Sequence, residues 1–565
     1  MMRTGGKILI DQLVIQGCRT LFTVPGESFL AALDALFDEG PIRTIVCRHE
    51  GGAAMMAEAC GKLTGEPGVA FVTRAAGAAN AVSGVYVAQH DSTPMVLLVG
   101  VTSRSVEDRD AFQEFDIKAL FATIAKWAGV VRSPERIPEY VRRAFHTALA
   151  GRPGPVVLGV PEDVLNAHTE TEDAARARLP APAPTPAEMT RFKNRLMTAN
   201  RPLIIAGGPG WSRIAAQSLA SFTETFNVPV ATAFRRQDHV DNRLKTYVGH
   251  AGINCEARLA EGIRSADLVL VIGEQPAEIT TGSYSILSVP NPTQSLVHVH
   301  PSPDEIGRLF HTDWPIVAAP EPFARALGRL KPPPNRRWER RRRNLRAAYQ
   351  KSLKPSPTPG NVKLEDVITT LSAELPDDAI VTNGAGNYAA FLHRYFQYKS
   401  YPTQLAPTSG SMGYGLPAAI AAKITFPERP VVALAGDGCM LMTGQELATA
   451  VQYGLPIVLI VANNGMYGTI RMQQERHYPG RVLGTSLVNP DFAVLARAFG
   501  AKGETVCETA AFLPALKRAL SARGPTVIEL KLDPEAITPG KTLTEIRNDQ
   551  EPQTNGCSDR DRRKK

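Results

Sequence analysis

The sequence predicts an α/β protein of three doubly wound parallel-sheet domains. Short runs of consecutive apolar residues alternate with helix-like patterns along nearly the whole chain, as expected of strands buried on both faces of helix-covered sheets. Two proline-rich segments divide that alternation into three blocks. The length of 565 residues exceeds what one hydrophobic core supports, and about three domains is the expectation.

The first block covers residues 1–165, with strands expected at 21–24, 42–46, 68–72 and 95–99. A Pro/Ala linker follows at 181–186. The second block, 190–330, has strands at 203–206, 268–272 and 296–299. Residues 331–360 mix prolines with arginines and read as a second linker. The third block spans 361–535, and the polar, charged segment 544–565 is expected to be disordered.

The third block carries the most informative pattern. An apolar run at 431–435 ends on Gly436-Asp437-Gly438, and a second at 457–462 ends on Asn463-Asn464. Between them, Thr443-Gly444-Gln445-Glu446 reads as a capping box opening a helix that runs through Tyr453 and stops at Gly454 and Pro456. Two strand ends and a helix N-terminus thus converge on one edge. Asp437 and Asn464 offer oxygen ligands to a hard divalent cation, most simply Mg2+, and helix N-terminal amides attract phosphate oxygens. A lone Gly-Asp-Gly is an ordinary strand-to-helix turn; the downstream Asn-Asn and the intervening βαβ pattern make this one a magnesium–diphosphate site.

In the first block, the strand at 42–46 leads into Arg48-His49-Glu50-Gly51-Gly52-Ala53-Ala54, which opens a helix. By itself, Glu50 would read as a complement to the helix dipole.

The Gly-Asp-Gly with Asn-Asn almost thirty residues on resembles the metal motif of thiamine diphosphate-dependent enzymes. The Arg48–Ala54 segment resembles acetolactate synthase large subunits, and this resemblance covers about residues 7–532. It implies pyrimidine-binding, central and diphosphate-binding domains in that order, with thiamine diphosphate and Mg2+ as cofactors. Asp437, Asn464 and the main-chain carbonyl of Met466 would hold the metal. Glu50 would meet N1′ of the aminopyrimidine and promote the imino tautomer that deprotonates the thiazolium. Val24-Pro25-Gly26-Glu27 would pack near the pyrimidine, and Asn383-Gly384-Ala385-Gly386-Asn387 would take the diphosphate. Met412, in Gly410-Ser411-Met412-Gly413, would wedge under the cofactor and bend it; outside that segment a methionine is ordinary core filler. Asp91-Ser92-Thr93-Pro94 and Phe112-Gln113-Glu114 would lie near the active site, with Phe112 and Gln113 facing cofactor or substrate. Asn80, Gly436, Gly438, Cys439, Tyr467 and Gly468 complete the implied cofactor-binding set, and Glu50, Gln113 and Met412 the catalytic one.

The activity implied is that of an acetolactate synthase-like decarboxylating carboligase, joining pyruvate to a 2-oxo acid to give a 2-hydroxy-2-methyl-3-oxo acid and CO2. The alternatives are a non-ligating decarboxylase or a lyase on a bulkier substrate and, in another class, a non-catalytic regulatory paralogue, against which Glu50, Asp437 and Asn464 stand. A homodimer or homotetramer with active sites at the subunit interface is expected, and the resemblance raises a regulatory small subunit as partner.

The departures from the resemblance bear on substrate and flavin. Ala75-Ala76-Gly77-Ala78-Ala79-Asn80 stands where Gly-Pro-Gly before Ala-Thr-Asn is usual. Tyr467-Gly468-Thr469-Ile470-Arg471 lacks the tryptophan usual after Asn-Asn. Gly207-Gly208-Pro209-Gly210 could approach a dinucleotide, so FAD is raised as a further cofactor. Gly273-Glu274-Gln275, however, replaces the Gly-x-Arg expected to contact FAD and places an acid beside its phosphates. His298 and His300 alternate along a strand without an evident third metal ligand.

Composition sets further bounds. A hydrophobic content of 44% is ordinary. No run approaches the roughly twenty apolar residues of a membrane span, and the N-terminal residues lack a secretory core. Seven cysteines without a Cys-x-x-Cys pair argue against a zinc site or a disulfide scaffold, so a reduced, cytoplasmic setting is expected. Much of the formal charge of +8 sits in 336–343 and 562–565. Those runs read as solvated surface rather than as a nucleic-acid face, since no recognition motif accompanies them.

Overall fold

The computed structural model describes residues 2–38, 40–332 and 337–549. Each apolar block forms a six-stranded parallel sheet. The first contains β1 (Thr20–Thr23), β2 (Arg43–Val46), β3 (Gly68–Thr73), β4 (Met95–Val101), β5 (Trp127–Val130) and β6 (Pro155–Pro161). The second contains β7 (Pro202–Ala206), β8 (Val230–Thr232), β9 (Tyr247–His250), β10 (Leu268–Ile272), β11 (Ser295–His300) and β12 (Trp314–Val317). The third contains β13 (Ile380–Asn383), β14 (Gln404–Leu405), β15 (Val431–Gly436), β16 (Val458–Asn463), β17 (Lys502–Val506) and β18 (Thr526–Lys531).

The strand orders are β2-β1-β3-β4-β6-β5, β9-β8-β7-β10-β11-β12 and β14-β13-β15-β16-β18-β17. The outer sheets therefore share one topology, while the middle sheet has the order of a dinucleotide-binding fold. The central strands are buried along nearly their whole length, as their almost wholly apolar content requires. In the third sheet Leu434 pairs with Ile460 and Gly436 with Ala462, so β15 and β16 finish level and set Asp437 beside the Asn463-Asn464 turn.

One hydrophobic cluster runs through both outer sheets. The helix Glu50–Thr64 packs on the helix Gly415–Thr425, and alanines on both sides, Ala53, Ala57, Ala418 and Ala422 among them, allow close approach. Buried charges fasten the three sheets together. Asp91, at the end of the helix Ala75–Asp91, meets Lys62 at 3.1 Å and Arg236 of the middle sheet at 3.2 Å, and accepts the Thr408 N–H. Burial alone would raise its carboxyl, but the two cations outweigh that and hold it below its usual value. Neighbouring Glu58 accepts from Thr93 at 2.6 Å and from Tyr414 at 2.5 Å.

Two expectations are corrected here. Residues 331–360 are not only linker: Glu339–Ser352 is a helix, and three of its arginines turn inward while Arg340 and Arg343 stay exposed, as the solvated-face reading expects. Arg342 donates to Lys245 O, Arg346 to the carbonyls of Asn242 and Tyr247, and Arg341 to Gly262 O. Trp338 is buried and bonds Ala199 O. The basic run gave no sign of this because its partners are carbonyls distant in sequence; Arg336 lies outside the described residues. The polar tail also starts as structure. Thr542 and Glu545 form a capping box for the helix Leu543–Asn548, and Arg547 pairs with buried Glu475 at 2.7 Å. Residues 550–565, including the second basic run, lie outside the described residues. Among the described residues no helix is long and apolar enough to cross a membrane.

Candidate active site

A cavity of about 1460 Å3 opens at the C-terminal ends of the third sheet's strands and extends to the middle sheet. Ligand sites in open parallel sheets form at such strand ends. Ala385, Gly386, Asn387, Gly410, Met412, Gly436, Asp437, Gly438, Cys439, Asn464, Met466, Tyr467 and Gly468 all line it. Asn383 and Gly384 support that wall without lining it. Asn383 ends β13, and a Cβ on Gly384 would lie 2.4 Å from the Cys439 sulfur.

Asp437 starts a short helix directly after β15. One carboxylate oxygen accepts the Gly438 N–H at 2.8 Å; the other accepts from Gly465 N and from the Asn489 side chain, both at 2.8 Å. Burial pushes the carboxyl above its ordinary value, while these donors pull it down. The two asparagines divide their work. Asn463 bonds Glu529 at 2.7 Å and accepts from Gly465 and Asn489, so it braces the turn. Asn464 faces the cavity, and its side chain makes no hydrogen bond among the described residues. Residues 485–487 strap the loop: Tyr467 N donates to Thr485 O and Leu487 N to Gly465 O. Asn489 is a site residue that the sequence did not reveal; it sits in an irregular loop with no motif around it.

Met412 is held between two glycines in the left-handed region, Gly410 at φ +72° and Gly413 at φ +81°. A Cβ at Gly413 would approach Met442 Cβ to 2.9 Å, so glycine is required there for space as well as conformation.

The expected capping box at Thr443–Glu446 is not formed. Thr443 bonds Gly413 O instead, a single 3-10 turn, Gly444–Glu446, precedes the helix Leu447–Gln452, and Glu446 turns toward the first block. The motif was met in sequence, but tertiary partners took both side chains.

The remaining expected residues form a second group on the first sheet. Glu50 is the first residue of its helix and accepts the Asn80 side-chain N–H at 2.8 Å. Gly26 lies against Thr73, where a Cβ would fall 2.3 Å from the threonine Cβ. Gln113 is held at φ +60°, and its carbonyl accepts the Ala75 N–H at the head of the next helix. Phe112 is 72% exposed beside the Arg74 guanidinium. None of Pro25, Gly26, Glu50, Asn80 or Gln113 lines the Asp437 cavity. In one chain the expected residues therefore fall into two separate groups.

The residues fit thiamine diphosphate and Mg2+. Asp437 and Asn464 give an oxygen-only donor set suited to a hard cation, and Asn464 reaches the cavity with its amide uncommitted. The middle sheet offers one feature that counts against FAD. The Glu274 carboxylate stands beside the glycine turn, 2.4 Å from where a Cβ of Gly207 would stand, and accepts the Thr280 hydroxyl. An acid therefore lies where a dinucleotide phosphate would approach the glycine turn. Burial raises that acid's pKa to about 7. His298 bonds Glu274 O and His300 faces Ser302; no group of three metal-binding side chains occurs among the described residues.

The three-sheet fold matches what comparison with known proteins finds. Residues 3–120 match the "Thiamine pyrophosphate enzyme, N-terminal TPP binding domain", 189–327 the central domain and 384–530 the C-terminal TPP binding domain. The chain belongs to the thiamine pyrophosphate enzyme family. Within it, the chain is a member of the acetolactate synthase large-subunit-like group. It is 31% identical to the acetolactate synthase large subunit of Parasynechococcus marenigrum, over 93% of this chain and 87% of that protein. The Corynebacterium glutamicum acetolactate synthase large subunit is also 31% identical, over 94% and 87%. The probable acetolactate synthase large subunit of Methanocaldococcus jannaschii is 30% identical, over 96% and 95%.

Proposed function

We propose that this chain is a thiamine diphosphate- and Mg2+-dependent enzyme that decarboxylates a 2-oxo acid and joins the remaining fragment to an acceptor, as acetolactate synthases do. The observation that carries the reading is the convergence of Asp437, Asn464 and Met412 on one cavity, with Glu50 intact on its own half-site. When bound, thiamine diphosphate supplies the electron sink that makes loss of CO2 feasible. Asp437, Asn464 and the Met466 carbonyl would hold Mg2+, with residues 383–387 receiving the diphosphate. Met412 would hold the cofactor bent, and Glu50, steadied by Asn80, would keep a proton at the pyrimidine N1′. Two chains complete two sites by a two-fold pairing that brings each Glu50 to the partner's Asp437 cavity. The exposed Leu441 and Met442, 46% each, are the kind of surface such pairing would cover. A homodimer or homotetramer in a reduced cytoplasm is part of this reading, as is a regulatory small subunit.

A second reading, a non-ligating decarboxylase or a lyase on a bulkier substrate, is favoured by Ala75-Ala76 at the head of the helix that carries Asn80. Incubation with both cofactors and a panel of 2-oxo acids separates the readings. Pyruvate giving CO2 and a 2-hydroxy-2-methyl-3-oxo acid supports the first; CO2 with only an aldehyde supports the second. No turnover of any 2-oxo acid would reject both.

A further inference from the structure

We infer that Glu446 is a positioning residue for Glu50. The Glu446 side chain is completely buried. Its Oε1 accepts the His49 N–H at 2.9 Å and the Arg48 N–H at 3.1 Å, and its Oε2 accepts the Thr449 hydroxyl at 2.7 Å. It belongs to the third block, shortly after the Asp437 turn, whereas the amides it holds are the last two before the helix Glu50–Thr64. That helix leaves its first N–H groups without internal partners. Two devices satisfy this end. The His49 imidazole accepts the Gly51 N–H at 3.0 Å, and Glu446 takes the two amides ahead of Glu50.

The fit is mutual. Gly52 has no side chain, and a Cβ there would lie 2.4 Å from Glu446 Oε1. No lysine or arginine pairs with Glu446 among the described residues. Backbone amides and one hydroxyl satisfy the carboxylate, reinforced by the positive end of a 15-residue helix. Taking Glu446 away frees the two peptide units that set where Glu50 starts. A displacement of roughly 1 Å at a reacting group can cost about 10²-fold in rate. Gln in place of Glu446 could still accept both amides with its single oxygen and turn its NH2 to the Thr449 hydroxyl. It would keep the position and lose only the charge.

This inference rests on Glu50 acting as the proposed function states, so the test has one readout that needs no cofactor. Hydrogen-exchange mass spectrometry on the full chain reports the Arg48 and His49 amides. Deuterium exchange at C2 of bound thiamine diphosphate, followed by NMR, reports Glu50's work. In Glu446→Ala both amides should exchange at least about 10-fold faster and C2 exchange should slow by about 10- to 10²-fold, with Glu446→Gln recovering most of both. If Glu446→Ala does not fold, Gly52→Ala should produce the same two changes by pushing a methyl against the carboxylate. Unchanged amide exchange in a folded variant overturns the inference. So does C2 exchange at the wild-type rate where Glu50→Gln abolishes it, or a Gln variant as slow as the Ala one while the amides stay protected. C2 exchange unaffected by Glu50→Gln instead overturns the proposed role of Glu50, and the amide readout then decides the positioning alone.

Discussion

Asn80 donates its side-chain N–H to the Glu50 carboxylate at 2.8 Å, tying together two adjacent helices of the first sheet. The carboxylate is thereby aimed, and its remaining lone pairs stay available. Glu50→Gln preserves shape while removing the titratable proton. Cofactor binding should persist and turnover should fall by about 10²- to 10⁴-fold. Wild-type exchange at C2 in this variant, measured by NMR, would rule the assignment out.

Asp437→Ala should abolish Mg2+-dependent cofactor binding, because one of two side-chain oxygens is lost. Asn489→Ala leaves the carboxylate in place but removes a bond that orients it, and outer partners of this kind are typically worth about 10- to 100-fold in metal affinity. Calorimetry with and without Mg2+ should rank the variants wild type, Asn489→Ala, Asp437→Ala. Equal affinities would show that Asp437 is structural.

The purified protein should be colourless, since Glu274 stands against the glycine turn a flavin dinucleotide would approach. A stoichiometric flavin absorbance contradicts this. The same acid has a pH signature. Its folded pKa, near 7, lies above the roughly 4.3 of an unfolded glutamate. The stability it contributes is thus complete below about pH 4 and is lost as pH rises through 7. Glu274→Gln should therefore raise Tm at pH 8, on the order of 1 °C for so long a chain, by less at pH 5, and leave it unchanged below about pH 4. A shift at pH 8 equal to that below about pH 4 would remove the titration from the explanation.

Mixing inactive Glu50→Gln and Asp437→Ala chains under subunit exchange should restore activity. Each heterodimer would carry one site with both lesions and one with neither. Mass measurement verifies that heterodimers form; heterodimers without activity would place Glu50 and Asp437 in the same chain's site.

Much of this architecture was readable because parallel strands leave unbroken apolar runs: β10 falls on the expected residues 268–272, and β15 and β16 lie within one residue of theirs. Asp437 and Asn464 were readable because a cation site needs particular atoms at strand ends. What stayed hidden depends on partners far along the chain. Glu446 satisfied a local capping pattern yet bonds residues almost 400 positions away. Arg341, Arg342 and Arg346 looked like surface charge until the carbonyls they cap came into view. Asn489 carries no pattern, because a loop asparagine becomes legible only beside the carboxylate it braces.

The bond set around Asp91 limits how such a chain can recombine. Lys62 and Asp91 come from the first block, Arg236 from the second and Thr408 from the third. A chimera that imports a middle block lacking the arginine would leave buried Asp91 with Lys62 and the Thr408 N–H but without its second cation, a defect on the order of a few kcal/mol. Exchange of segments with relatives should therefore succeed at the loops only when Lys62, Asp91 and Arg236 travel as a set. The unit of inheritance here is a triplet of charges and not a domain.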